Sequence, residues 1–401
     1  MNKKKSGFIS MALVYTFLVI FLFLMLAILR TYIEKDKFLE TINSQINEDI
    51  NKDKQSRSFA LSKMLEDNAA EDFSKLHMVQ PASNDYGNGN GLYYISNSAI
   101  TNENNDDETS RIYFYRGTVE NNHLVYVDSC FRILRTNEDG SLRLVYDGPV
   151  SNNKCKELSE KTGVSVGTVK FSENETVSLI EAANGLTPSY DDNNSHSEII
   201  DKLNDWFVNS FMNPHDDGKN YTYNISRNTL FCNNKKYSST DSNIKYYDSK
   251  KMVPVFKSEH DRDSSNPSKL TNTFSLVCSE ENDRLSANDK TLSYPVGILS
   301  AEDVLLAGGY LTDHSDEYHG GSDGMANTKF YLYTGSTFWT STAYSTDLNT
   351  GYNYVIAVNS NGYMEGKHVT ETADVIPVIS LSSDVRIISG NGTANNPYRI
   401  D

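Results

Sequence analysis

From Gly7 to Leu29 the chain runs 23 residues, GFISMALVYTFLVIFLFLMLAIL, without a charge, directly after Lys3, Lys4 and Lys5. About 20 apolar residues at 1.5 Å rise per residue cover the roughly 30 Å hydrocarbon core of a bilayer, so this stretch predicts a transmembrane helix. A secretory signal would carry a shorter apolar region closed by a small-x-small cleavage site, whereas Leu29-Arg30-Thr31-Tyr32 follows here. The reading is therefore an uncleaved anchor. The lysine triplet faces a mixed Arg30, Glu34, Lys35, Asp36 and Lys37 on the far side, which places residues 1–6 in the cytoplasm as a short leader and the rest outside. One partner follows at once: the lipid bilayer, met through residues 7–29.

Beyond the anchor, Leu39, Ile42, Ile46 and Ile50 recur at helical spacing among polar residues, and Ser58 to Phe73 carries Phe59, Leu61, Met64 and Leu65. Residues 30–75 thus read as a helical stalk. Residues 76–90 include PASNDYGNGN, turn-forming punctuation that reads as a linker. The remainder, 91–401, reads as one extracellular domain. Arg111–Arg116, His123–Val127, Phe131–Arg135 and Leu142–Tyr146 alternate apolar with polar residues, with a turn signal at Asn137-Glu-Asp-Gly140, and predict an antiparallel meander. Two helices are expected. One runs from Glu198 to Met212, with Ile199, Leu203, Trp206, Phe207 and Phe211 on one face and Trp206 in the core; the other runs from the Ser300-Ala-Glu-Asp capping signal to Ala307 and stops at Gly308-Gly309. Strands are expected again at Phe330–Tyr333, Tyr354–Asn359 and Val375–Leu381. The fold class is α+β, an antiparallel-sheet domain behind an N-terminal helix.

A formal net charge of −16 makes nucleic acid an unsuitable partner. The 25 tyrosines suit a surface that recognises through aromatic and hydroxyl contacts, although a solvated, loop-rich β domain explains them more simply. Four cysteines, Cys130, Cys155, Cys232 and Cys278, all fall in the exported part, where oxidation is available. Three pairings are possible. Sequence proximity favours Cys130 with Cys155 and Cys232 with Cys278, and CxxC-like zinc spacing is absent.

The residues from Tyr113 to Gly148, YFYRGTVENNHLVYVDSCFRILRTNEDGSLRLVYDG, together with Phe231-Cys232, Leu276-Val277-Cys278, Tyr294-Pro-Val-Gly-Ile-Leu-Ser-Ala-Glu302, Phe338-Trp-Thr-Ser341, Pro377-Val-Ile379 and Gly390-Asn-Gly-Thr-Ala-Asn-Asn-Pro-Tyr398, fall in one recognisable order. That order resembles a domain of unknown function in surface proteins of Gram-positive Bacillota. The resemblance covers about 300 residues. It implies the same two disulfides and a fold similar to C-type lectins and to sulfatase-modifying domains. The reactive cysteines of the latter are not carried over, because Cys232 and Cys278 stand at the expected structural bridge. Before Pro377 such domains read Gly-Val-Arg, and here Asp374-Val375-Ile376 stands instead, so this segment offers no arginine for a buried ion pair. The start of the chain, Lys3-Lys4-Lys5-Ser6-Gly7-Phe8, resembles a type IV prepilin leader and marks Gly7 and Phe8 as a processing site; Ala12 replaces the glutamate of major pilins. Pilin-like subunits are the partners this second resemblance implies.

Other chemistry is sparse. His314, Asp316, His319 and Asp323 share a Gly-rich loop, in which Asp316 and Asp323 are candidate ligands for calcium, against the simpler reading of a solvated acidic loop. No cofactor is otherwise called for. GxSxG, HExxH and phosphate-loop patterns are absent, and no nucleophile stands beside a base. The sequence therefore reads as a non-enzymatic, membrane-anchored surface protein presenting a lectin-like binding domain, as a minor pilin-like subunit or adhesin. An envelope enzyme on the same scaffold and a purely structural surface module are the alternatives.

Overall fold

The computed structural model describes residues 59–72, 90–96, 111–137, 139–157, 164–173, 198–213, 218–232, 237–240, 244–247, 284–288, 290–309, 328, 330–347 and 349–401. All of these lie in the second of two compact units, Lys54–Asp401. In chain order its elements begin with helix α1 (Phe59–Asp67) and strands β1 (Ala70–Asp72), β2 (Gly91–Ser96), β3 (Arg111–Arg116), β4 (His123–Tyr126), β5 (Ser129–Thr136), β6 (Leu142–Pro149) and β7 (Thr168–Lys170). Helix α2 (Glu198–Phe207) follows, continued by a π turn at Val208–Met212, then β8 (Phe231–Cys232), β9 (Tyr237–Thr240), β10 (Ile244–Tyr247) and β11 (Arg284–Leu285). Helix α3 (Ala301–Ala307) precedes β12 (Phe338–Asp347), β13 (Asn353–Val358), β14 (Met364–His368), β15 (Thr372–Asp374), β16 (Val378–Leu381), β17 (Ile387–Ser389) and β18 (Tyr398–Ile400). The fold is mostly sheet with few helices, in keeping with an α+β class.

The first sheet is organised around β5, which pairs antiparallel with β6 along its whole length and shares its other edge between β4 and the end of β3. Of the four-strand meander expected from alternation, β4-β5-β6 is present, whereas β3 pairs with β5 and not with β4. The turn between β5 and β6 is the expected one, Asn137 N donating to Ser141 O at 2.8 Å across a turn whose Gly140 has φ 75°. Beyond β4 the sheet continues through β18 to β17, and beyond β3 through β2 to β1. The second sheet runs β14-β13-β12-β10-β9, with β15 parallel to the start of β12 and antiparallel to β7. Helix α3 ties the two together. Its capping box is formed as the sequence suggests, Ser300 Oγ accepting from Asp303 N, and it ends on left-handed Gly308 at φ 110°. Arg116 on β3 donates to the Leu305 and Leu306 carbonyls at 2.6 and 3.1 Å, and Thr342 Oγ1 on β12 accepts from Ala301 N at 2.9 Å. A short helix buried at every position thus has both ends bonded to opposite sheets.

Several expectations are corrected. The fold reaches further toward the N-terminus than the proposed domain start at residue 91, since Ala60 and Met64 of α1 are fully buried in the core and β1 pairs with β2. Asp67 also accepts from Tyr398 Oη at 3.0 Å, so residues 59–72, placed in the stalk by spacing, belong to the domain. Apolar spacing on a short helix cannot say what it packs against. Phe330–Tyr333 forms a tight turn with Tyr333 N donating to Phe330 O at 3.0 Å, its apolar residues buried as a plug. Of Val375–Leu381 only Val378–Leu381 is strand, beginning after Pro377, which has no N–H for a ladder. The helix from Glu198 changes to a π turn at Val208, where Asn213 N bonds Val208 O at 2.9 Å. That turn brings Phe211 against Phe207, Tyr126 and Trp206, at centroid distances of 5.3, 5.6 and 5.4 Å. Trp206, expected in the core, is only half-buried and packs edge-on against Phe131 and Tyr146. Among the described residues no helix is long and apolar enough to cross a membrane. The anchor stretch 7–29 lies outside them.

Candidate functional site

Two charged arrangements emerge, one closed and one open. The closed one is built from strand arginines, a residue type usually left in water. Arg132 and Arg135 on β5 and Arg143 on β6 instead point into the protein, each no more than 9% exposed. Arg135 Nε lies 2.9 Å from Asp303 Oδ1 and Arg143 Nε 3.3 Å from Oδ2. Burial alone would raise the Asp303 carboxyl, but the two guanidinium groups and the hydrogen bonds from Arg135 and the Ser300 backbone outweigh it and hold the carboxyl at about 2. Among the described residues its neighbour Glu302 has no such pairing, and burial pushes its carboxyl up. In the Asp374-Val375-Ile376 segment, Ile376 is buried as an apolar residue.

Arg132 joins a second buried group. It donates to Val119 O and to His123 Nε2, the latter at 2.7 Å. A guanidinium can only donate, so Nε2 accepts and the proton sits on Nδ1, within 3.1 Å of Glu120 O and 3.2 Å of Gly392 O. Asp147 Oδ2 stands 3.8 Å from the imidazole. These groups are sealed from solvent, which suits a frame rather than a site that admits substrate.

The open arrangement is a groove of about 500 Å³ between two tight turns. The first turn is Ser151 to Lys154, with Asn152 and Asn153 in the left-handed region at φ 51° and 62°, a conformation asparagine tolerates better than most residues. The second is Thr393 to Asn396, within the closing segment Gly390–Tyr398. That segment's two glycines have a steric reason: with φ of 90° and 79°, a Cβ on Gly390 or Gly392 would stand 2.1 Å from the Pro397 or Asn121 carbonyl oxygen. The turns are fastened to each other and to the sheet. Cys155 is bonded to Cys130 on β5, and its N–H donates to Ala394 O at 2.9 Å.

Asn152, Asn153 and Lys154 form one wall, Asn395, Asn396 and Pro397 the other, with Arg399 of β18 beside them. Lys154 Nζ reaches across to Asn395 Oδ1 at 2.9 Å, and Arg399 donates to Asn153 O at 2.8 Å. Asn395 Nδ2 donates to Glu157 Oε1 at 3.2 Å, which turns its carbonyl oxygen toward the lysine. The lining contains no carboxylate and no aromatic ring. Amides that both donate and accept, with two cations, can orient a polar ligand; nothing in the lining is placed as a nucleophile with its base.

Of the residues singled out in the sequence, Cys130 and Cys155 form a disulfide with Cα atoms 5.7 Å apart. Cys232 is also disulfide-bonded, and its expected partner Cys278 lies outside the described residues. Gly7 and Phe8, and Asp316 and Asp323 with His314 and His319, lie outside them too. Among the described residues no group of three His, Cys, Asp or Glu is placed to hold a metal. The groove residues were not singled out, although Asn395 to Pro397 stand in the closing segment and Asn152 to Lys154 immediately precede a cysteine. Comparison with protein-family models, with curated proteins and with solved structures finds no match for this chain.

Proposed function

We propose that this is a single-pass cell-surface protein that presents a lectin-like binding domain outside the membrane, as a minor pilin-like subunit or an adhesin. The observation that carries the reading is the open, amide-lined groove held between disulfide-fastened turns. Its lining suits recognition, and the disulfide suits an exported domain. The uncharged stretch 7–29 behind Lys3 to Lys5 supplies the anchor, and Lys5-Ser6-Gly7-Phe8 supplies the pilin-like element.

Cells displaying the full chain are expected to adhere to glycan-coated surfaces and to lose that adhesion when the domain is shaved off. Adhesion indifferent to the presence of the chain would remove the binding function. Peptide sequencing of the N-terminus from the native cell addresses the filament: a start at Phe8 supports pilin-like processing, and an intact leader leaves a tethered domain.

A further inference from the structure

We infer that the groove between the turns at 151–154 and 393–396 binds an acidic saccharide, one whose ring hydroxyls meet the asparagine amides while a carboxylate meets Arg399 and Lys154. This deepens the binding-protein reading above and rests on it. Three observations converge. The first is size: at about 500 Å³ the groove falls within the roughly 300–1,000 Å³ of small-molecule sites and far exceeds the needs of a lone inorganic anion.

The second is charge. In a chain of net charge −16, the lining brings two cations together with no carboxylate among them. A local reversal of sign on an acidic surface concentrates anions where the bulk of the protein repels them. The third is spare donor capacity. Lysine carries three N–H donors and arginine five. Among the described residues Lys154 spends one on Asn395 and Arg399 one on Asn153, so each makes one tie to a turn and retains donors for a ligand. Arginine's planar fork suits a carboxylate in two parallel bonds.

Rigidity favours recognition as well. The disulfide, the Cys155 to Ala394 bond and the two cation ties fix both walls before any ligand arrives, which lowers the ordering cost of binding. Glu157 is the opposing feature. It stands just outside the lining, accepts from Asn395, and places a negative charge near the entering carboxylate.

The test is a titration of the full chain in detergent micelles with trigalacturonic acid, with its carboxyl-reduced neutral counterpart, and with inorganic phosphate. The acidic trisaccharide is expected to bind at least tenfold more tightly than either. Arg399→Ala is expected to weaken it tenfold or more, and Glu157→Gln to tighten it severalfold. Asn395→Asp, at an exposed turn position away from the strand, gives the same loss as Arg399→Ala and serves if that variant fails to fold. Equal affinity for the neutral sugar, equal affinity for phosphate, no binding of the acid, or binding unchanged in both Arg399→Ala and Asn395→Asp would each overturn the inference. Adhesion of displaying cells that persists undiminished in Arg399→Ala would leave the binding reading standing while removing this groove from it.

Discussion

The arginines around Asp303 and the cations beside Asn395 do opposite things with the same chemistry. Arg135 and Arg143 are buried against one carboxylate, itself inaccessible to solvent. Lys154 is exposed and Arg399 half-exposed, and each makes one tie to a turn. A charge taken out of water must be paired, and once paired it specifies the packing around it; a charge left at the surface contributes little to stability and keeps its capacity to meet a ligand. Frame and site are therefore distinguished by burial, not by residue type.

The largest expected effect breaks the frame. Asp303→Ala leaves two buried guanidinium groups without their carboxylate and removes the side-chain half of the α3 capping box, and should cost about 3–5 kcal/mol in denaturant unfolding. A loss under 1 kcal/mol would mean the pair is solvated and the contrast with the groove is unfounded. Replacing Cys130 and Cys155 together by Ala should cost about 3.5 kcal/mol by the chain-entropy estimate for a separation of 25 residues. Because that bond fastens a groove wall, acidic-sugar binding should fall with it even where the domain remains folded.

Acid offers a smaller and reversible probe. The Asp303 carboxyl is held at about 2 in the folded state against an ordinary 3.8. Its contribution is therefore present above the unfolded value and is lost as pH falls from about 4 through 2, amounting to about 2 kcal/mol. Glu302 works in the opposite sense, since burial raises it and its charged form costs stability above its unfolded value. Comparing wild type with Asp303→Asn across this window isolates the Asp303 part: the wild-type loss on acidification should exceed the variant's. The smallest effect belongs to the groove, where Arg399→Ala should change stability by no more than about 0.5 kcal/mol. A much larger loss would make Arg399 a frame residue like Arg135.

Much of the frame is legible in the sequence, and the part that is not has a physical cause. Alternation places β3 to β6, the turn at Asn137 to Gly140 and the capping box at Ser300, because these are local demands of backbone geometry. Arg132 and Arg143 stand at the polar positions of that alternation and are nonetheless buried, since a period of two separates faces without saying what covers the polar one. The same limit appears in the tyrosines. Tyr115, Tyr126, Tyr331 and Tyr398 fill the core instead of a recognition surface, and burial raises each of their hydroxyls.

The groove was hidden for a different reason. Its walls, tied from Lys154 to Asn395 across 241 residues, are far apart in sequence and are brought together by the Cys130–Cys155 disulfide, the Cys155 N to Ala394 O bond and the pairing of β18 with β4. The cysteines were the available signal. A loop held by a disulfide has fixed walls, and asparagines beside such a cysteine are candidates for a groove lining.

The central claim, that the domain carrying this groove stands outside the membrane, is tested most directly by labelling intact native cells with a membrane-impermeant amine reagent and mapping the modified lysines. Lys154 and Lys156 are exposed and should be labelled on intact cells, whereas Lys3, Lys4 and Lys5 should be labelled only after permeabilisation. Labelling of the leader lysines on intact cells, with Lys154 and Lys156 protected until the membrane is opened, would contradict it.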